Sequence, residues 1–196
     1  AWILACGLLT APSASDAQNR TNNYDDWTYI GADAANTRYS PLDQINSDNF
    51  DGLEVAWIWR GDNFSSRPDP LMRSMPIYAE GRLFTVVGSR RQVVAIDPGT
   101  GETIWSFREP PTERWERSMR QNYGKGLAYS QINGHGVIYV VTPGFFLHAL
   151  DAETGRPLQD WGTGVPIDGF PETGTVDLLA DLGHPYDVES VPGDPA

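Results

Sequence analysis

Three features of this sequence predict an all-β fold. The apolar residues come in short runs rich in Val, Ile, Tyr, Phe and Trp, not at helical spacing. Those runs are bounded by Gly, Pro, Asn and Asp, and the 20 glycines and 15 prolines are spread along the chain, which makes them turn punctuation. Third, the chain repeats itself. Residues 81–105 (G-R-L-F-T-V-V-G-S-R-R-Q-V-V-A-I-D-P-G-T-G-E-T-I-W) and residues 136–158 (G-V-I-Y-V-V-T-P-G-F-F-L-H-A-L-D-A-E-T-G-R-P-L) align with a period of 54 residues (151 − 97), set by Asp97 against Asp151 and matched by Gly101 against Gly155. A period near 50 built from strands is the mark of β-propeller blades.

Taken in order, the elements follow from local chemistry. Residues 40–53 read as a surface connection into a strand over 55–59. In the first repeat, 83–87 and 92–96 are strands joined by a hairpin over 88–91, with Arg90 and Arg91 at a solvated tip. Asp97-Pro98-Gly99-Thr100-Gly101 is a tight turn: the Asp side chain accepts backbone N–H bonds, Pro98 presets φ, and a glycine takes positive φ. Residues 103–107 then return as an outer strand carrying Trp105, with small Ala95 leaving room for an indole at the neighbouring sheet. Residues 108–125 are polar, charged and opened by Pro110-Pro111, a loop long enough to be functional. The second repeat pairs 137–141 with 146–150 and turns at Asp151–Gly155. Its tryptophan is displaced, since Gln159 stands at the aligned position and Trp161 two residues on. After Trp161 the chain is Gly/Pro-rich with little strand signal. Two units and part of a third cannot close a ring, and the open faces of such an array lack neighbours.

A core of useful size is available, because 40% of the 196 residues are hydrophobic and 11% are aromatic. The net charge of −12 repels a phosphate backbone, and no basic stripe interrupts it, which argues against nucleic acid. Residues 1–17 read as a secretory signal peptide clipped at its start, cut before Gln18, with 18–196 the mature propeller segment. The apolar run is too short to span a bilayer. A rival reading makes Ile3-Leu4-Ala5-Cys6 a lipoprotein box with Cys6 acylated. Cys6 is the sole cysteine, so the mature segment has no disulfide and no thiolate metal site.

Several segments together resemble the quinoprotein dehydrogenases that use pyrroloquinoline quinone (PQQ). A-I-D-P-G-T-G-E-T-I-W (95–105) matches every fixed position of the tryptophan-docking motif A-x-D-x-x-T-G-x-x-x-W, and A-L-D-A-E-T-G (149–155) matches its first half. W-T-Y-I-G-A-D-A-A-N-T-R-Y-S-P-L-D-Q-I-N (27–46) resembles that family's N-terminal signature. Y-G-K-G-L-A-Y (123–129) resembles its R-G-x-A-Y segment with Lys125 in place of Arg. The resemblance implies that the chain is an incomplete part of an eight-bladed propeller. It further implies PQQ near the ring axis, in many members beside Ca²⁺, and an alcohol, polyol or sugar hydroxyl oxidised by hydride transfer. The electron acceptor would be a cytochrome c or a membrane quinone, and the location periplasmic or secreted, with membrane association allowed. The catalytic Asp and the metal ligands belong to later blades, so no catalytic residue is assigned here and this segment alone is not expected to be active.

Two cofactor-binding positions do carry over. Lys125 takes the place of the cation that meets the quinone or a carboxylate of PQQ. Arg73, three residues before Pro76, stands where relatives often have Glu or Gln, and its guanidinium suits a carboxylate. The vicinal Cys-Cys pair of many alcohol-oxidising members is absent, which tilts the substrate toward sugars or polyols. His135, His148 and His184 are too scattered for a metal site. The competing class is a non-enzymatic propeller lipoprotein, a protein-binding scaffold with the same docking motif. Against it stand the 108–125 insertion, the 123–129 segment and the 27–46 signature.

Overall fold

The structure, a computed structural model, describes residues 26–65, 73–118 and 126–180. They form two four-stranded antiparallel meanders. The first runs β1 (Ile77–Ala79), β2 (Arg82–Val87), β3 (Gln92–Ile96) and β4 (Thr103–Phe107), and the second β5 (Ala128–Ile132), β6 (His135–Val141), β7 (Phe146–Asp151) and β8 (Thr175–Asp177). The expected hairpins are present: Leu83 lies opposite Ile96 and Val87 opposite Gln92, while Val137 lies opposite Asp151 and Val141 opposite Leu147. The signal-peptide reading of 1–17 falls outside the described residues.

Two elements depart from the sequence expectation. Residues 54–60 make no backbone hydrogen bond among the described residues, so 55–59 is not a strand of either sheet. Trp57 and Trp59 are half-buried against the first sheet and Ile58 between them is exposed. In the second sheet the fourth strand comes from Thr175–Asp177, beyond Trp161 and inside the Gly/Pro-rich stretch. Trp161 packs its ring edge-on against Tyr139, 5.6 Å between centroids, and docks on no further turn among the described residues.

The layers explain the burial. β3 is buried on both faces: Val93 and Ala95 enter the core between the two sheets, with Phe84, Val86, Ile138, Val140 and Leu150. Val94 and Ile96 point the other way, under Trp57, Trp59 and Phe64. Toward the hairpin end the same inner face of the second sheet continues through Phe146, which packs with Val165, Ile167 and Phe170. A strand sandwiched between layers reads as a continuous apolar run, as Q-V-V-A-I does.

Trp105 joins the sheets. From β4 its indole Nε1–H donates to the carbonyl of Ala152 at 3.1 Å, and its ring lies where a Cβ on Gly155 would be. Gly155 has φ +71°, a conformation glycine adopts without a Cβ penalty. The turn beneath it is fixed by Asp151, whose carboxylate accepts from the Thr154 N–H at 2.7 Å. Trp57 makes the same contact one unit earlier: Nε1–H donates to Pro98 O at 2.9 Å and the indole covers Gly101, φ +75°. Pro98 and Ala152 both follow the turn Asp. Residues 53–60 therefore occupy, against the first sheet, the place β4 occupies against the second.

Trp105→Ala is expected to cost about 3–5 kcal/mol and Gly155→Ala about 1–3 kcal/mol. The double substitution should cost less than the sum, because the alanine methyl then enters space the indole has left; urea denaturation of the full-length protein measures all three. Asp97, whose carboxylate accepts from the N–H groups of Gly99 (2.8 Å) and Thr100 (2.9 Å), has its pKa lowered from 3.8 chiefly by the Thr100 bond and then by Gly99. A lowered folded-state pKa means the turn's contribution is complete above pH 3.8 and fades as pH falls through the folded value. The stability gap between wild type and Asp97→Ala should accordingly close on acidification below that pH.

Candidate functional site

In each meander the chain enters the first strand at the same end as the hairpin between the second and third. That end gathers Arg73, the 88–91 hairpin, the 108–118 loop, the 142–145 hairpin and the lead into β5. Ser74 fixes the entry to β1: its Oγ accepts from Val86 N–H at 3.0 Å and lies 2.7 Å from Thr85 Oγ1. This anchors the backbone beside Arg73, whose own side chain is exposed and has no hydrogen bond or ion pair among the described residues. A fixed backbone carrying an unpaired guanidinium suits a carboxylate ligand. Lys125 lies outside the described residues. Among the described residues there is also no group of three or more His, Cys, Asp or Glu able to hold a metal.

The hairpin arginines are not at a solvated tip. Arg91 is buried and donates from Nη1 to Val141 O at 2.6 Å, tying the first hairpin to the end of β6. Arg90 is half-buried, its guanidinium carbon 3.8 Å from the centre of the Trp115 ring. Arg90 is held by Trp115 of the 108–118 loop and Arg91 by Val141 of the second sheet, contacts that residue spacing within the hairpin does not reveal.

That loop holds a polar core the sequence did not disclose. Thr112 caps a single helical turn, α1 (Glu113–Glu116), accepting the Trp115 N–H at 3.0 Å. The cap sends Arg114 inward, where it is fully buried. Its Nη2 and Nη1 meet the two carboxylate oxygens of Asp177 at 2.5 and 3.1 Å, Nε–H donates to Gly144 O at 2.6 Å, and its face lies 4.1 Å from the Phe146 ring centre. Beside it, buried His148 contacts Thr175 Oγ1 through Nδ1 at 3.0 Å and Glu109 Oε2 through Nε2 at 3.1 Å. Glu109 Oε1 has no hydrogen bond. Each group bridges the loop of one sheet to a strand or hairpin of the other. The arrangement locks the two sheets and has no open position for substrate.

At the opposite end Tyr129 of β5 donates its hydroxyl to Glu80 at 2.9 Å. Burial first, and then this bond to a carboxylate, pushes the Tyr129 pKa up to about 12. The last residue of the 123–129 segment is therefore a neutral inter-sheet tie. Among the described residues no helix is long and apolar enough to cross a membrane.

Asp177→Ala should destabilise the protein by about 3–5 kcal/mol, since it strands a buried guanidinium, whereas Arg114→Met combined with Asp177→Leu should recover most of that loss. Chemical denaturation of the three variants of the full-length protein checks the order.

Comparison with known proteins follows the same lines. The sequence model of a family described as "PQQ: Glucose/ethanol/alcohol dehydrogenase, beta-propeller domain" matches residues 27–193. The glycerol dehydrogenase large subunit of Gluconobacter oxydans is 30% identical over 193 residues, 93% of this chain and 24% of that protein. The 1-butanol dehydrogenase (cytochrome c) of Thauera butanivorans is 30% identical over 167 residues, 84% of this chain and 22% of that protein. Among solved structures, a europium-containing methanol dehydrogenase shares the fold with TM-score 0.51 at 24% identity, covering 67% of this chain and 22% of that one. The chain thus spans about a quarter of the length of the curated relatives it matches.

Proposed function

This chain belongs to the PQQ-dependent glucose/ethanol/alcohol dehydrogenase family, in its β-propeller domain, and from that premise we propose that it supplies the first blades of an exported dehydrogenase. The enzyme oxidises an alcohol, polyol or sugar hydroxyl. The observation that carries the reading is the match of the dehydrogenase family's propeller domain to residues 27–193, within which Trp57 and Trp105 dock on equivalent turns of successive sheets.

Bound PQQ supplies a quinone that accepts hydride from the substrate carbon. This chain's part is to bind and orient. Arg73 and Lys125 offer cations to the carboxylates of the cofactor, Arg73 as a bidentate fork and Lys125 as a point charge. Such charges act more strongly where water is excluded. The buried ties between the sheets hold the entry of β1 at a fixed distance from the second blade. The base that takes the hydroxyl proton, and the oxygen ligands of a Ca²⁺ or similar hard cation, are assigned to parts of the whole protein beyond these 196 residues. Export rests on the apolar run and small residues of 1–17, and places the enzyme in the periplasm or outside the cell. A cytochrome c is a fitting electron acceptor, given the cytochrome-linked relative; a membrane quinone is the other.

The reading is tested by reconstituting the full-length apoprotein with PQQ and a divalent cation and assaying dye reduction on alcohols, polyols and sugars. Failure to reduce the dye with every substrate, in a folded and PQQ-saturated protein, would sink it. Arg73→Ala and Lys125→Ala should each weaken PQQ binding by about tenfold while leaving the thermal transition in place. Affinities equal to wild type in fluorescence titration would remove that residue from the site.

A further inference from the structure

A cavity of about 490 Å³ opens at the hairpin end of the first sheet, and its walls include Phe64, Ser89, Arg90, Gln92, Arg108 and Trp115. Gln92 is already committed, donating to Phe64 O at 2.6 Å. The two arginines are not: neither forms a hydrogen bond or ion pair among the described residues. Arg90 is held flat on the Trp115 indole, 3.8 Å from its centre. Stacking fixes the plane of the guanidinium and leaves its N–H edge for a ligand. Burial, and next the charge of Arg108, lowers the Arg90 pKa, so the two cations sense each other. The carboxylates that act on Arg90 are Glu109, whose Oε2 faces His148, and Glu116 of α1, and neither closes onto it.

In a chain of net charge −12, two neighbouring cations that meet no carboxylate among the described residues carry a repulsion that a bound anion would relieve. The Trp115 indole gives that anion an apolar wall. We propose that this cavity binds a small oxyanion, a carboxylate or a phosphate, between the guanidinium groups of Arg90 and Arg108. Two planar forks match the oxygen spacing of either group, and partial exclusion of water strengthens both contacts. The proposal rests on this geometry alone and holds whatever the substrate of the enzyme.

The test uses the full-length protein already loaded with PQQ, so that the cofactor's own carboxylates are accommodated, and titrates inorganic phosphate and benzoate separately by calorimetry. At least one anion should bind saturably, and Arg90→Ala and Arg108→Gln should each weaken it ~10-fold or more. Arg156→Ala, which removes an exposed cation elsewhere, should leave the affinity unchanged. Saturation by phosphate alone assigns an inorganic or ester phosphate, and saturation by benzoate assigns a carboxylate on an apolar body. Arg108 is exposed, so its variant folds even if loss of the Arg90 stack unsettles the loop. No saturable heat with either anion, or wild-type affinity in Arg108→Gln, overturns the assignment.

Discussion

The structure depends on the seating of one indole over one glycine. Trp105 leaves the edge of the first sheet, and only an absent Cβ at Gly155 lets its ring reach the turn of the second. The indole N–H then finds Ala152 O, so the large apolar surface is buried without stranding its polar atom. That turn is prepared in advance by Asp151, which spends its carboxylate on Thr154. Removing any one of the three leaves the other two in a conformation with no purpose. This is why a short motif helps fix the distance and the rotation between two sheets that share no backbone ladder.

At the hairpin end a different chemistry does the same job. A buried guanidinium is costly to desolvate, and its partners must recover that cost through close, directed contacts. Arg114 has them: two carboxylate oxygens, a carbonyl and an aromatic face, drawn from the hairpin and the last strand of the second sheet. Apolar docking near the turns and ionic locking near the hairpins therefore restrain opposite ends of the same pair of sheets. Arg73 sits at the ionic end, beside a backbone that Ser74 pins.

Much of the fold was legible in the residues. The Asp turns at 97 and 151, the four paired strands and the docking role of Trp105 all follow from local chemistry repeated at a fixed spacing. What was hidden depended on distance along the chain. Thr175-Val176-Asp177 is too short to show a period, and its strand exists because β7 offers an edge. Arg114 looked like one charge among many in a polar loop, and its burial is decided by Asp177, 63 residues away. Arg90 and Arg91 are hidden for the same reason, since Trp115 and Val141, which hold them, lie outside the hairpin. Trp57 was recognisable as a β residue, but its docking role shows only when Pro98 and Gly101 are seen beneath it. Of the two residues proposed to meet the cofactor, Arg73 is exposed at the hairpin end of the first sheet and Lys125 lies outside the described residues.

Residues 53–60 are held in an unusual way. Val55 is 77% and Ile58 79% exposed, while the indoles between and beyond them are fastened to the first sheet by hydrogen bonds to Pro98 and Thr103. The side chains are anchored before the backbone has a partner. Fixing a residue's backbone costs on the order of 1–2 kcal/mol, and here that loss has been incurred in advance of any pairing. A strand that arrives alongside it meets a segment whose two indoles are already seated. Until then the exposed Val55 and Ile58 leave an apolar edge open to wrong partners. Newly made chain would be most vulnerable to self-association in the interval between the docking of Trp57 and the arrival of that neighbour.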